Sequence, residues 1–446
     1  MTTPTAAAYP ASTTRNTADD RSYDSSRSEY DLIPPRRATQ RFLDRFALIA
    51  LGLYHLPLFV NNYPSLGGGG FNDTGLAPKW GHVFTIPGMW VARHLFHITG
   101  PMPTGNNGDN GDVAEEFARL LLAIVIGAVV AAIWTLRDRD EPRSGWVREA
   151  IRVLLRYSIA LGLTSYAIAK LFPQQFPPLT SLGLDQRVGD LRPMSLLWTF
   201  MQYSRPYALF GGVMEMVVVL LLCFRRTATL GAIICMAVMA NVMLMNVAYD
   251  VPVKLYATMT VISAAVLALY DAPRLIAFFL TNRTAPPAEP SFIHRRVAPV
   301  PRWIVKGLVV GSVIVSSFIA MAPSANRRPT SSATAGSWAV TSYTRPGVSP
   351  DSVNDATRWR RFIIDEHSFI IRFANDSLVA CQYQAVTVRM MVTCRGHEGF
   401  LHWLRDGDQL FVDGPFDGGE VRISSKLTKP EDYRLLRSKM RLITDR

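Results

Sequence analysis

The chain has 446 residues, 49% of them hydrophobic, with a formal net charge of +12 and a mean hydropathy of +0.13. The apolar residues are gathered into blocks of about 20, the length that crosses roughly 30 Å of hydrocarbon. Lys and Arg flank those blocks, so the positive charge reads as anchoring to membrane lipids and excludes a nucleic-acid surface as the simpler account.

Residues 1–38 are rich in Ser, Thr, Ala, Arg and Asp and lack a periodic apolar face, which predicts a disordered cytoplasmic tail. Seven transmembrane spans follow, at about 42–60, 114–136, 150–172, 206–224, 228–248, 254–271 and 303–322. They divide into a transmembrane pair over 39–149 with an outer loop at 61–112, a four-helix group over 150–272, and a last helix at 303–322. Within the outer loop, segment 80–98 is apolar but holds Pro87, Arg93, His94 and His97, so it reads as an interfacial or re-entrant helix. Segment 273–302 reads as a cytoplasmic interfacial piece and a proline-rich linker.

Positive residues set the orientation. Arg36, Arg37, Arg41 and Arg45 precede or open the first span, Arg137, Arg139, Arg143, Arg148 and Arg152 join the second to the third, and Arg225 and Arg226 join the fourth to the fifth. Every second loop agrees, which places the N-terminus in the cytoplasm and the C-terminus outside.

After a linker at 323–335, residues 336–446 change character. Short alternating runs recur between turn residues, among them SWAVTSYT, SFIIRFA, LVACQYQAV, RMMVTCR and QLFVDGPF. About eight strands in this length predict a small all-β domain, an antiparallel barrel or sandwich. Gly336-Ser337-Trp338 resembles the G-x-W that opens lipocalin-type barrels. Cys381 and Cys394 are equidistant from a hairpin tip near Thr387-Val388, so they face each other as a cross-strand disulfide or as two core thiols. Cys223 and Cys235 fall in apolar runs and read as core residues.

Polar residues inside the spans are the functional pointer, because ionisable groups in hydrocarbon cost roughly 2.5–3.5 kcal/mol each on insertion scales. They are His55, Lys170, Glu215, Asn241, Asn246, Asp250 and Lys254. Counting rise along each helix at about 1.5 Å per residue puts all seven in the outer half or at the outer rim. The cytoplasmic half holds nothing comparable beyond its end anchors. Lys170, Asp250 and Lys254 can snorkel to the interface. Glu215 sits too deep for that, so it is either protonated or paired, with Lys170 and Asn241 as the candidate partners. His82, His94, His97, Asp109 and Asp112 have no diagnostic ligand spacing, and no metal site or catalytic residue is assigned. Gly307 and Gly311 form a GxxxG packing pattern in the last span.

Over 150–272 the chain resembles the DoxX-like family of four-helix membrane proteins. The segments that carry the likeness are Leu155-Arg156-Tyr157, Tyr166 to Pro173, Gly211-Gly212 with Glu215, Arg225 to Gly231, and Asn241 to Lys254. The resemblance implies an antiparallel four-helix bundle with a polar outer pocket, an inner-membrane location in a bacterium and a link to quinone-dependent redox systems with membrane-protein partner subunits. The two earlier spans, the last span and the β-domain depart from the simple family pattern. The expected ligand-binding set is Lys170, Glu215, Asn241, Asn246, Asp250 and His55, with quinone or another amphipathic molecule as ligand. The alternative is a non-enzymatic membrane anchor that presents an extracytoplasmic β-domain for ligand or partner binding.

Overall fold

The computed structural model describes residues 37–61, 86–87, 89–97, 112–138, 145–284, 334–348, 355–365, 368–386 and 389–437, with single positions at 304, 307, 311 and 315. The helices are α1 (Ala38–Asn61), α2 (Ala114–Arg137), α3 (Gly145–Leu171), the short α4 (Ser181–Asp185), α5 (Pro193–Tyr203), α6 (Arg205–Cys223), α7 (Ala228–Ala248), α8 (Lys254–Leu269) and α9 (Ala272–Phe279).

Among the described residues four helices are long and apolar enough to cross a membrane: α2, α3, α6 and α7. The pair α8 and α9, bent by 74°, makes a fifth when counted together. Of the seven spans read from hydropathy, the described residues thus hold four, or five with the bent pair counted as one. Helix α1 is long enough, but Gln40, Arg41, Asp44 and Arg45 make its first turns polar. The span at 303–322 lies outside the described residues apart from four positions. The bend follows Leu269, where Tyr270 and Asp271 interrupt the helix and Pro273 starts the next one in its first turn.

Helix α3 is the centre of the bundle and packs against α1, α6 and α8. Two-thirds of its apolar window (67%) is buried, against 22% for α2, which leaves most of α2 facing outward. The core joins Ile151, Leu155, Ile159 and Leu163 of α3 to Val218, Val219 and Leu222 of α6 and Cys235 of α7. Cys223 and Cys235 are both buried and stand outside any disulfide.

Close approach of α3 and α6 needs a small residue. A Cβ on Gly212 would sit 2.9 Å from Lys170 Cβ and 3.1 Å from Ala167 O. The two antiparallel helices also cap each other. Arg156 of α3 donates to Leu222 O at 2.8 Å and Cys223 O at 3.0 Å, the last carbonyls of α6. Arg205 at the start of α6 donates to Lys170 O at 2.8 Å and to Leu171 O, the last carbonyls of α3. Each guanidinium satisfies orphan acceptors and meets the negative end of the partner's dipole.

Residues 336–428 form a closed antiparallel barrel, strands β1 (Gly336–Thr344), β2 (Trp359–Ile364), β3 (Ser368–Phe373), β4 (Leu378–Val386), β5 (Arg389–Cys394), β6 (His397–Asp406), β7 (Gln409–Phe416) and β8 (Gly419–Thr428) in sequence order, with β8 pairing back to β1. Alternation drives the closure: on β7, Leu410, Val412 and Phe416 point in while Gln409, Phe411 and Asp413 point out. Eight strands leave an interior just wide enough for side chains, and Trp338, Trp359, Phe362 and Phe369 fill it at 0–1% exposure. Gly414 has φ of +138°, and a Cβ there would meet Phe400 O at 2.5 Å, so only glycine fits where β7 crosses β6. Cys381 and Cys394 are bonded as a disulfide across β4 and β5, Cα–Cα 4.5 Å. A short helix α10 (Arg434–Arg437) follows the barrel.

Candidate functional site

Helices α3 and α6 meet where Gly212 lets them touch, and there Lys170 Nζ donates to both carboxylate oxygens of Glu215 at 2.8 Å. The side chains are 8% and 2% exposed, so neither reaches solvent. The ammonium also lies 5.7 Å from the centroid of the Tyr166 ring, one turn back on α3.

This pair forms part of the wall of a cavity of about 260 Å³. Tyr166 and Tyr256 stack with centroids 5.4 Å apart and line the same space, as do Trp198 of α5 and Asn246 of α7. Asn246 Nδ2 donates to Val253 O at 3.4 Å, tying the end of α7 to the turn before α8. Gln175 completes the wall. Its backbone N–H bonds Ala169 O at 3.1 Å, which folds it back over the end of α3, and its side-chain Oε1 is buried with no hydrogen-bond partner among the described residues. The remaining lining is apolar and includes Leu163, Met239 and Val242. The whole is an aromatic and aliphatic space with a few convergent polar groups, the usual make-up of a small-molecule site.

Three of the six expected site residues, Lys170, Glu215 and Asn246, meet at this cavity. Asn241 is exposed on the other side of α7 and does not reach Glu215, whose partner is Lys170. Asp250 has φ of +52° in the turn after α7 and swings outward, its side chain 80% exposed, to accept from Lys254 Nζ at 2.7 Å. His55 is buried elsewhere, between α1 and α8, with Nε2 2.9 Å from Ser263 Oγ. Segment 86–97 contributes no wall, and among the described residues no cluster of His, Cys, Asp and Glu could hold a metal ion.

The end of the bundle away from Lys170 is also polar, and its charges belong to the end anchors of the helices, which pair with carboxylates. Arg148 Nε donates to Asp44 at 2.9 Å, Arg45 to Asp138 at 2.9 Å, and Arg152 reaches Asp271 at 3.4 Å. Arg45 is 1% exposed and lies 4.6 Å over Trp134. These ties are made between helices, so no hydropathy profile reveals them.

The barrel grips the segment that joins two parts of the cavity wall. Asp185, at the end of α4, accepts from Arg361 Nη1 at 2.6 Å and Arg372 Nε at 3.0 Å, and Arg372 also donates to its carbonyl. Arg361 and Arg372 are cross-strand partners on β2 and β3. Arg187 pairs with Asp376. The gripped stretch runs from Gln175 to Met194, both of which line the cavity. A second long-range tie acts on α8: Asp112 accepts from Lys254 N at 2.9 Å and Leu255 N at 2.8 Å, capping the helix from a distant part of the chain.

Trp198 and Tyr256 are the lining residues that sequence reading passed over. The signals were present: Pro193 in a first helical turn, and Leu197 and Met201 spaced i,i+4, mark α5 as a helix with one buried face. Tyr256 lies two residues beyond the Lys254 turn.

The fold and the site define a bundle of apolar helices, able to cross a membrane, with a mainly apolar cavity that has a few polar groups in its wall, joined to a closed eight-stranded β-barrel. Over 133 residues, 30% of this chain, the sequence is 31% identical to the uncharacterized protein YwoB of Bacillus subtilis (strain 168), and the match covers 84% of that protein. The chain belongs to the family of that protein. No protein-family model matches the chain, and no solved structure matches it.

Proposed function

We propose that the chain is a DoxX-like protein of the bacterial inner membrane, with its N-terminus cytoplasmic and its barrel outside, whose cavity binds the head group of a quinone or a similar amphipathic lipid for a redox system. The observation that carries this reading is the buried Lys170–Glu215 pair in the wall of an aromatic cavity. Removing two charges from water is expensive, and well-packed apolar residues usually do as well for stability, so keeping the pair beside open space favours a role toward a ligand. The volume falls under the roughly 300–1,000 Å³ that buries a whole drug-sized ligand, which suits a ring with its tail outside. Lys170 would offer a hydrogen bond to a ring oxygen, and Glu215 would hold or pass a proton at that oxygen. Quinone extracted from protein purified in mild detergent, together with reductant-dependent quinone reduction, tests this. Both signals are expected from the native chain and are expected to fall in Glu215→Gln and Lys170→Ala; no bound quinone and no effect of either substitution would defeat the reading.

A second reading is favoured by the barrel, whose interior is filled and whose outer face is held by Asp185. In that reading the bundle anchors a lipocalin-like domain that works through its surface, together with a membrane-protein partner. It predicts that a soluble 336–446 fragment retains the partner and that Glu215→Gln affects stability alone.

A further inference from the structure

Asn241 stands apart from the other polar residues of the spanning helices. Among the described residues of α2, α3, α6 and α7 it is the one exposed polar side chain away from a helix end, and it has no hydrogen-bond partner there. At about 1.5 Å of rise per residue it stands roughly 20 Å from one end of α7 and roughly 10 Å from the other. An asparagine side chain is too short to reach the lipid head groups from that depth. Lipid tails offer it neither donor nor acceptor, and an amide in hydrocarbon without partners is expensive. Lipid alone does not account for this face of α7; a protein surface that bonds the amide does.

The residues around it form a seam. Leu230, Ile234, Ala237, Asn241, Leu244 and Ala248 follow one another at alternating steps of four and three, the heptad spacing of paired helices. All are exposed except Ile234, which is partly so; Leu230 stands at 52% and Leu244 at 62%. Ala237 lies one turn from Asn241, and small residues let membrane helices approach closely. A single Asn in such a seam fixes the register and the number of helices that pair. Its amide both donates and accepts, so it is complementary to itself. Copies of one chain enter a membrane in the same orientation. A two-fold axis along the membrane normal therefore sets α7 parallel to a second α7, with Asn241 facing Asn241 at one height.

We infer that two copies of the chain pair side by side through α7, the two Asn241 amides bonded to each other across the two-fold axis. A second copy is the partner because it alone brings the same amide to the same depth by symmetry. The inference goes beyond the ligand reading and does not depend on it; it rests on α7 crossing the membrane. None of the six seam residues lines the cavity, so pairing leaves the cavity wall as it is.

The full chain, labelled with donor and acceptor dyes, is reconstituted in vesicles of phosphatidylethanolamine and phosphatidylglycerol, and energy transfer is followed as lipid is added. The native chain is expected to transfer more than a monomeric single-span peptide in the same vesicles. Asn241→Leu is expected to weaken pairing by about tenfold, the fold-change of one interhelical polar contact. Asn241→Gln keeps an amide and is expected to hold most of the pairing. Under mild oxidation Ala237→Cys is expected to crosslink two chains, whereas Val129→Cys, on the exposed face of α2, is not. Asn241→Leu pairing as tightly as the native chain, or Val129→Cys crosslinking as readily as Ala237→Cys, overturns the inference. A native chain that transfers no more than the peptide also overturns it, and leaves Asn241 to a different protein. If alkaline carbonate releases the chain from the vesicles, the inference and the membrane crossing it rests on fall together.

Discussion

At the end of the bundle away from the barrel, Arg45, Arg148 and Arg152 meet Asp138, Asp44 and Asp271 with at least one partner partly exposed: Asp138 is 38% exposed, Arg148 21% and Arg152 19%. At the barrel end Lys170 and Glu215 are 8% and 2% exposed and stand beside a cavity. The first arrangement ties helix ends together where water or head groups can still screen the charges, and such pairs are worth little singly. The second is buried on both partners and borders open space. Charge at a helix end is explained by anchoring; a buried pair that lines a cavity calls for something that enters the cavity.

That contrast predicts a graded set of effects. Glu215→Gln leaves a buried ammonium without its carboxylate and should cost about 3–5 kcal/mol, whereas the double variant Lys170→Met with Glu215→Leu should regain most of it. Chemical unfolding in detergent measures both; a single variant as stable as the native chain would erase the difference between the two ends. Next comes Arg156→Met, which strips the carbonyls of Leu222 and Cys223 of their donor. It should cost about 2 kcal/mol and leave ligand binding unchanged, since Arg156 lies outside the cavity wall.

Asp271→Asn, at the more exposed end, should cost under about 1 kcal/mol, and that cost should shrink further in high salt, unlike the Glu215 effect. The smallest effect belongs to the barrel surface. The Lys429 ammonium beside Asp408 holds that carboxyl below its ordinary value. A depressed carboxylate adds stability above its unfolded value, and the addition is lost as pH falls through the folded one. The stability of the barrel should therefore fall slightly as pH drops from the unfolded carboxylate value through the lowered folded one, and Asp408→Asn should flatten that part of the acid limb; an unchanged limb would mean the exposed pair does no work on stability.

The barrel was legible because alternation with a period of two survives in the sequence: RMMVTC and QLFVDGPF each mark one strand and its inward face. The helices were legible as apolar blocks. The site was legible in height and not in azimuth. Asn241 and Asn246 both fall in the outer half, but five residues turn a helix by about 140° past one full turn, so one faces outward while the other faces the cavity. Asp250 shares the i,i+4 spacing with Asn246, yet α7 ends at Ala248 and the spacing no longer means a shared face. His55 reaches the same level on a different helix and pairs with Ser263. The reciprocal caps of Arg156 and Arg205, the grip on Asp185 and the capping of α8 by Asp112 join residues 34 to 187 positions apart. Only the packed structure brings those residues together.

The central claim is that the cavity beside Lys170 and Glu215 holds a ligand in the working protein. Native mass spectrometry of the intact chain, released from the same lipids as the Lys170→Met, Glu215→Leu double variant, tests it most directly. The account predicts a discrete bound molecule of quinone or lipid mass on the native chain and its loss from an equally folded double variant. The same mass on both proteins, or no bound molecule on the native chain, would contradict it.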